Sequence, residues 1–185
     1  MSCGCGKKKA ENMANMEKEA NQLLPPSEWG PILWKYMHCL GEHIGFSGNK
    51  IVDTDQANYM ETFINLLPFI LPCTECQEHS SVYLKNNPLP VLKGLYGVTL
   101  RSTIRNWLFL FHNSVRSMKG QRILVETVEE YEIAYVGCSI LKCEYNAFIQ
   151  TVIAAVRTGW VRIEHWKKWY SNSERLRILT GNVVM

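Results

Sequence analysis

The sequence predicts an all-α protein: a four-helix bundle followed by a mostly helical C-terminal extension. Two observations carry this. Apolar residues recur at three-to-four spacing through four successive segments, and Pro, Gly and Asn clusters punctuate the chain between them. Four amphipathic helices with short connections bury their stripes against one another as a bundle. The 185 residues, 46% hydrophobic and 11% aromatic, suffice for a real core. Residues 1–24 are a polar, charged leader with little to bury, and Pro25 and Pro26 separate it from the first helix. Ser27 as N-cap and Glu28 in the first turn predict a helix to about residue 43, with Trp29, Ile32, Leu33, Tyr36, Met37 and Leu40 on its apolar face. After a turn at Gly45, Gly48 and Asn49, Asp53 or Thr54 caps a second helix bearing Met60, Phe63, Ile64 and Leu67, which Pro68 or Pro72 kinks or ends.

A third helix starts at Cys73-Thr-Glu-Cys76 and runs to about residue 84, and Asn86, Asn87, Pro88 and Pro90 punctuate the chain after it. Thr99 or Ser102 opens the fourth, with Leu100, Ile104, Trp107, Leu108, Phe111 and Val115 inward and an end near Gly120. Beyond it, residues 121–137 contain a strand-like Arg-Ile-Leu-Val-Glu-Thr-Val run, and 144–157 read as a helix. The aromatic, basic stretch at 160–179 reads as an amphipathic helix with Ile163, Trp166, Trp169 and Tyr170 inward and Lys167 and Lys168 outward. The chain divides into a leader (1–24), a bundle (25–120) and an extension (121–185) packed on the bundle or at a dimer interface.

Charge and composition exclude several classes. Twenty Lys and Arg against 17 Asp and Glu give a net charge of +3, spread along the chain, which does not mark a nucleic-acid binder. No run approaches the roughly 18 apolar residues of a membrane span. Lys7, Lys8 and Lys9 are not followed by an apolar core, and Ser2 stands where myristoylation requires Gly, so the chain reads as a soluble intracellular protein. Glu129, Glu130 and Glu132 read as a solvated face. Seven Cys, an odd and scattered set, do not form a disulfide mini-scaffold.

Three constellations can carry chemistry. Cys73 and Cys76, with two residues between them, stand at a helix N-terminus behind Pro72, where a dithiol can cycle and the helix dipole stabilises a thiolate. The same pair can be half of a zinc site completed by His79, Cys138 and Cys143 in a binding module, or two core thiols. Trp34 and His38 lie one turn apart on one face, which suits a flat heteroaromatic ligand or a packed core. Trp107, His112, Asn113 and Val115 offer rings and an amide suited to an adenine, or simply a helix end where His meets the dipole. Cys39 reads as a core thiol.

Taken in order, Trp29-Gly-Pro-Ile-Leu-Trp34-Lys-Tyr-Met-His38, then Cys73-Thr-Glu-Cys76-Gln-Glu-His79, then Arg101, then Trp107-x4-His112-Asn113-x-Val115, the chain resembles the Erv/ALR family of FAD-linked sulfhydryl oxidases over about residues 27–121. It is most similar to the compact forms of large DNA viruses. The resemblance implies FAD held at the mouth of a four-helix bundle, with Cys73 and Cys76 as the catalytic pair: Cys76 against the isoalloxazine, Cys73 facing incoming thiols. It implies cofactor binding by Gly30, Trp34, His38, Trp107, His112, Asn113 and Val115, with His79 as an electrostatic neighbour. Arg116 replaces an expected Asn and Lys119 falls earlier than expected, so the pyrophosphate falls to Arg116, Lys119 or Arg122. A bracing disulfide of the family would fall at Phe109 and Glu126, neither of which is Cys, leaving Phe109 and Trp107 to brace by packing.

The implied activity oxidises thiols of substrate proteins, or of a thioredoxin-like relay, and delivers electrons through Cys73–Cys76 and FAD to dioxygen, giving hydrogen peroxide. Members often use a second, mobile Cys pair; Cys3 with Cys5, or Cys138 with Cys143, are the candidates here. The family implies a homodimer, no bound metal, and either the cytoplasm (of an infected host, or a virion) or the mitochondrial intermembrane space.

Overall fold

In the computed structural model, residues 23–123, 125–181 and 183–185 are described; Cys3 and Cys5 lie outside them. Seven helices succeed one another, and no strand is formed among the described residues. Helix α1 spans Pro26–His43, α2 Lys50–Ile70, α3 Thr74–Asn86 and α4 Gly97–Met118; α5 Val128–Tyr135, α6 Lys142–Arg157 and α7 Ile163–Thr180 make up the extension.

Local chemistry explains the boundaries. Pro25 is the N-cap of α1 and Pro26 takes its first position, where a missing N–H costs nothing, so the helix begins one residue before Ser27. Asn49, not Asp53 or Thr54, caps α2, its side chain accepting from the Ile51 and Val52 amides. Asp53 is instead a buried brace: it accepts from Ser47 Oγ at 2.6 Å and from the Gly97 amide at 2.8 Å, tying the α1–α2 turn to the start of α4. At that crossing a Cβ on Gly45 would sit 2.3 Å from the Gly97 carbonyl oxygen, and its φ of +70° favours glycine as well. Arg101 closes the same corner by donating to the Ile44 and Gly45 carbonyls at the end of α1. Pro68 is absorbed within α2, which continues to Ile70.

The core runs between α1, α2 and α4, through Tyr36, Met37, Leu40, Met60, Phe63, Ile64, Leu67, Leu100, Ile104 and Leu108. The extension closes over two sides of it. Helix α7 lies along α2 and inserts the fully buried Trp169 between Phe63 and Phe148 of α6. Its buried face is Trp169, Ser173, Leu176 and Thr180. Ile163 and Tyr170, expected inward, are exposed, because the α2 surface meets the stripe one register further round. Tyr36 Oη bonds Ser173 Oγ at 2.9 Å, and burial pushes its phenol up to about 12.

The stretch after α4 does not become a strand. Its carbonyls are taken by side chains of α4: Arg116 Nε donates to Arg122 O at 2.7 Å, and Asn113 Nδ2 to Val125 O at 3.1 Å. With no neighbouring strand to pair with, β-branched residues alone do not form a sheet. The β-type pairing among the described residues is a single bridge between Ile140 and Val184. Phe109 packs against Tyr131 of α5, as expected of a residue bracing by packing.

Candidate active site

Cys73 is the N-cap of α3; its Sγ accepts the Cys76 amide at 3.2 Å. The two cysteines form a disulfide with Cα atoms 5.2 Å apart, within the span a disulfide bridges. Cys76 lines an apolar slot of about 530 Å³, open to solvent, walled by Trp29, Leu33, Met37, Leu67, Leu71 and Phe111. His79, Ser80 and Lys119 also border it, whereas Cys73 does not. Of the two cysteines of the dithiol, Cys76 alone lines the slot.

Two lining residues carry buried ring nitrogens without a partner: Trp29 Nε1 and His79 Nδ1. His79 Nε2 lies 3.9 Å from Glu75. Orphaned polar atoms in a native wall call for explanation, and a flat polar heteroaromatic in the slot supplies both an acceptor and a donor.

The slot adjoins a wider, solvent-open cleft of about 1450 Å³ with which it shares Pro26, Gly30, Trp34, Val115 and Lys119, and which is lined also by Lys35, His112, Arg116, Gln121, Tyr135 and Cys138. A Cβ on Gly30 would meet no atom within 4 Å. The chain's own packing does not require glycine there; its effect is to keep the throat open. Arg116 and Lys119 give the cleft positive charge, which suits phosphate; Lys35 also lines it, with its ammonium paired to Glu144 at 3.2 Å.

The expected ring pair is present and larger than expected. Trp34 stacks on His112 with centroids 4.1 Å apart and planes 6° apart, and lies 5.8 Å from His38. His38 Nε2 and His112 Nδ1 share a hydrogen bond of 2.8 Å, and His38 Nδ1 bonds Tyr131 Oη at 2.5 Å. Burial, with His112 beside it, holds His38 well below the usual imidazole range. Burial, then Arg116, pushes His112 down to about 4. Both rings are neutral at pH 7.

Not every expected residue reaches the cleft. Trp107 is buried in the core, donating from Nε1 to Asn87 O at 3.0 Å and packing on Tyr83 and Phe111. Asn113 spends its amide on Val125 O and borders a smaller recess beside Tyr131 and Tyr135. Val115, Arg116 and Lys119 do line the cleft. Arg122 is exposed away from it.

Three cysteine expectations are corrected. Cys39 is not a core thiol, and Cys138 does not pair with Cys143: Cys39 and Cys138 are joined across 99 residues, with Cα atoms 5.4 Å apart. Cys143 is free and exposed, so the two expected relay cysteines are not joined to each other in this structure. The zinc alternative also fails, since no group of three His, Cys, Asp or Glu converges among the described residues. Glu132 is not simply solvated; it pairs with Arg105, which also forms a bidentate pair with the buried Glu42.

Two residues of the site, Tyr131 and Tyr135, are not marked by any sequence motif, and two more, Trp29 and Lys35, lie within the Trp29–His38 stretch without being singled out there as ligand contacts. The i,i+4 spacing of Tyr131 and Tyr135 is the one clue that α5 carries.

No described helix is long and apolar enough to cross a membrane. The profile of the Erv1 / Alr family matches residues 31–133. An FAD-linked sulfhydryl oxidase of African swine fever virus is 30% identical over 120 residues, covering 64% of this chain and 88% of its own. A protein of Invertebrate iridescent virus 6, named provisionally for the same activity, is 29% identical over 105 residues, 57% of this chain and 91% of its own. A similarly named protein of Invertebrate iridescent virus 3 is 27% identical over 116 residues, covering 62% and 72%. No solved structure gives a significant match. The profile spans more than half of the chain and includes α1 from Pro31 onward, with Trp34 and His38, the Cys73–Cys76 helix and all of α4: the chain belongs to the Erv1 / Alr family.

Proposed function

We propose that the protein is an FAD-linked thiol oxidase that forms disulfides in substrate proteins. One observation carries the reading: the slot beside Cys76 is apolar, bordered by two residues with unpartnered ring nitrogens, and adjoins a cleft that Arg116 and Lys119 line. That succession of surfaces fits an isoalloxazine joined to a pyrophosphate and adenine. Trp29, His79, Phe111 and Met37 would hold the tricyclic end, Lys35, Arg116 and Lys119 the phosphates, and Trp34 with His112 the adenine face. The relatives' names support the same cofactor and activity.

Cys73, which does not line the slot, takes the attack of a substrate thiolate. A substrate–Cys73 disulfide forms, the Cys73–Cys76 bond breaks, and Cys76 leaves as a thiolate. Its place in the first turn of α3 stabilises that charge through the helix N-terminus. A second substrate thiolate then attacks the substrate sulfur of the mixed disulfide, releasing oxidised substrate and the Cys73 thiolate. Two substrate thiols have become one disulfide, and two electrons reside on the Cys73–Cys76 dithiol. FAD supplies, when bound, a two-electron acceptor that passes the pair to dioxygen as hydrogen peroxide. A flavin filling the slot would shield Cys76 from water, and Trp34 and His112 would hold the far end of the ligand in register.

The direct test is peroxide release from a small dithiol. Cys73→Ser and Cys76→Ser each abolish it in protein that retains its yellow colour. Turnover surviving in either variant, or a colourless protein that takes up no FAD, overturns the proposal.

A further inference from the structure

Tyr131 is fully buried, and its phenol oxygen has one partner among the described residues, His38 Nδ1. A buried hydroxyl with a single partner satisfies itself by donating, since accepting would strand its proton in the core. His38 Nδ1 is then the bare nitrogen and its proton sits on Nε2, which faces His112 Nδ1 at 2.8 Å. His112 Nδ1 must in turn be bare, so the proton of His112 sits on Nε2. The opposite polarity would leave the Tyr131 proton without a partner and His112 with a lone pair at its open end. Around the network, Glu42 and Arg105 lie near Tyr131, and Arg116 lies near His112. Trp34, stacked parallel on His112, holds the plane in which that last nitrogen points.

We propose that Tyr131 is a positioning residue that sets the tautomers of His38 and His112, so that His112 offers an N–H donor to a hydrogen-bond acceptor on the ligand of the cleft. This rests on reading the cleft as an FAD site. The acceptors of such a ligand are the ring nitrogens of adenine, the phosphate oxygens and the flavin carbonyls; the exocyclic amino group of adenine is refused. Tyr131 thereby makes α5, outside the four-helix bundle, part of the binding site.

The experiment is two-bond proton–nitrogen NMR on the full chain labelled with 15N-histidine, which distinguishes Nδ1–H from Nε2–H imidazoles, with assignment by His112→Ala. The wild-type protein shows both rings as Nε2–H. Tyr131→Phe, which keeps the ring packing, returns His38 to a tautomer mixture and weakens FAD binding about tenfold; a purely structural Tyr would shift Tm and leave the tautomers alone. Titration with ADP and with FMN then locates the acceptor: the His112 Nε2–H resonance moves with ADP if it lies in the nucleotide half and with FMN if it lies in the flavin half. An Nδ1–H His38 in the wild type, tautomers unchanged in Tyr131→Phe, or a resonance that neither ligand moves overturns the proposal. Wild-type protein with the stated tautomers and no affinity for FAD refutes the cofactor reading instead.

Discussion

Cys39, in the middle of α1 and fully buried, is disulfide-bonded to Cys138 in the connection between α5 and α6. His43, one turn after Cys39, bonds the Cys138 carbonyl at 3.1 Å, so the same junction is fastened twice. Cys138 also lines the wide cleft, and Cys39 is the direct neighbour of His38 in the chain. The bond thus ties the extension to the bundle at the wall of the ligand site. It supplies a covalent brace in a chain that lacks cysteines at 109 and 126.

Cys138→Ser removes a loop constraint of 99 residues and is expected to lower stability by about 2–5 kcal/mol. Denaturant midpoints with and without reductant check this. Reductant destabilises the wild type strongly and the variant little, whereas equal midpoints for the two oxidised proteins would show that the bond braces nothing.

Gly30→Leu is expected to leave the unliganded fold intact, because its Cβ enters open space and its position in α1 suits a side chain. The same side chain obstructs the throat between slot and cleft, so FAD retention falls by about tenfold or more. Equilibrium dialysis against FAD, with circular dichroism as the fold control, measures both effects. Unchanged retention would place the ligand elsewhere.

Lys119 borders both slot and cleft at the end of α4. Lys119→Ala is expected to weaken FAD binding about threefold to tenfold and to flatten its dependence on salt. Arg116→Ala acts in the same direction, with an added loss of the bond to Arg122 O. Calorimetric titration at two ionic strengths reads the change.

His112 has its pKa lowered from 6.5 to about 4, and His38 is shifted the same way. Between 6.5 and 4 the unfolded chain holds on His112 a proton that the native chain does not, so stability falls as the pH drops through that range; the His112 contribution levels off below it, and that of His38 adds in the same direction. At pH 5 His112 alone accounts for a loss of about 2 kcal/mol relative to pH 7. Thermal melts of wild type and His112→Gln across this range check it: the wild type loses Tm on acidification and the variant loses less. A pH-independent wild-type Tm would mean that the rings are not buried neutral.

The parts of the fold legible in the sequence are those set by local periodicity. Leu33, Met37 and Leu40, or Ile104, Leu108 and Phe111, repeat at helical spacing, and α1 and α4 stand where these stripes do, whereas α5 forms in a segment read as strand-like. Cys73 and Cys76 are equally legible, since a CxxC behind a proline is a local pattern. What escapes depends on partners far along the chain. Cysteine spacing does not specify connectivity, so Cys39 on an apolar face reads as a core thiol until α5 and α6 bring Cys138 to it. Asp53 has the residue type of a cap, but its ligands, Ser47 and Gly97, come from two other segments. Tyr131 sits among Glu129, Glu130 and Glu132 and looks solvated in sequence; only the docking of α5 on α1 and α4 buries it against His38. The strand-like residues near 125 lack a neighbour, and nothing local reveals that α4 side chains take their carbonyls.

The central claim is that Cys76 touches a flavin in the slot it lines. Cys73→Ser leaves Cys76 as a free thiol at the start of α3, and the visible absorption spectrum of that variant, loaded with FAD and titrated upward in pH, reads the contact directly. A broad long-wavelength band, appearing as the thiolate forms and absent from Cys73→Ser/Cys76→Ser, is the predicted result; a flavin spectrum identical in the two variants at every pH would contradict the account.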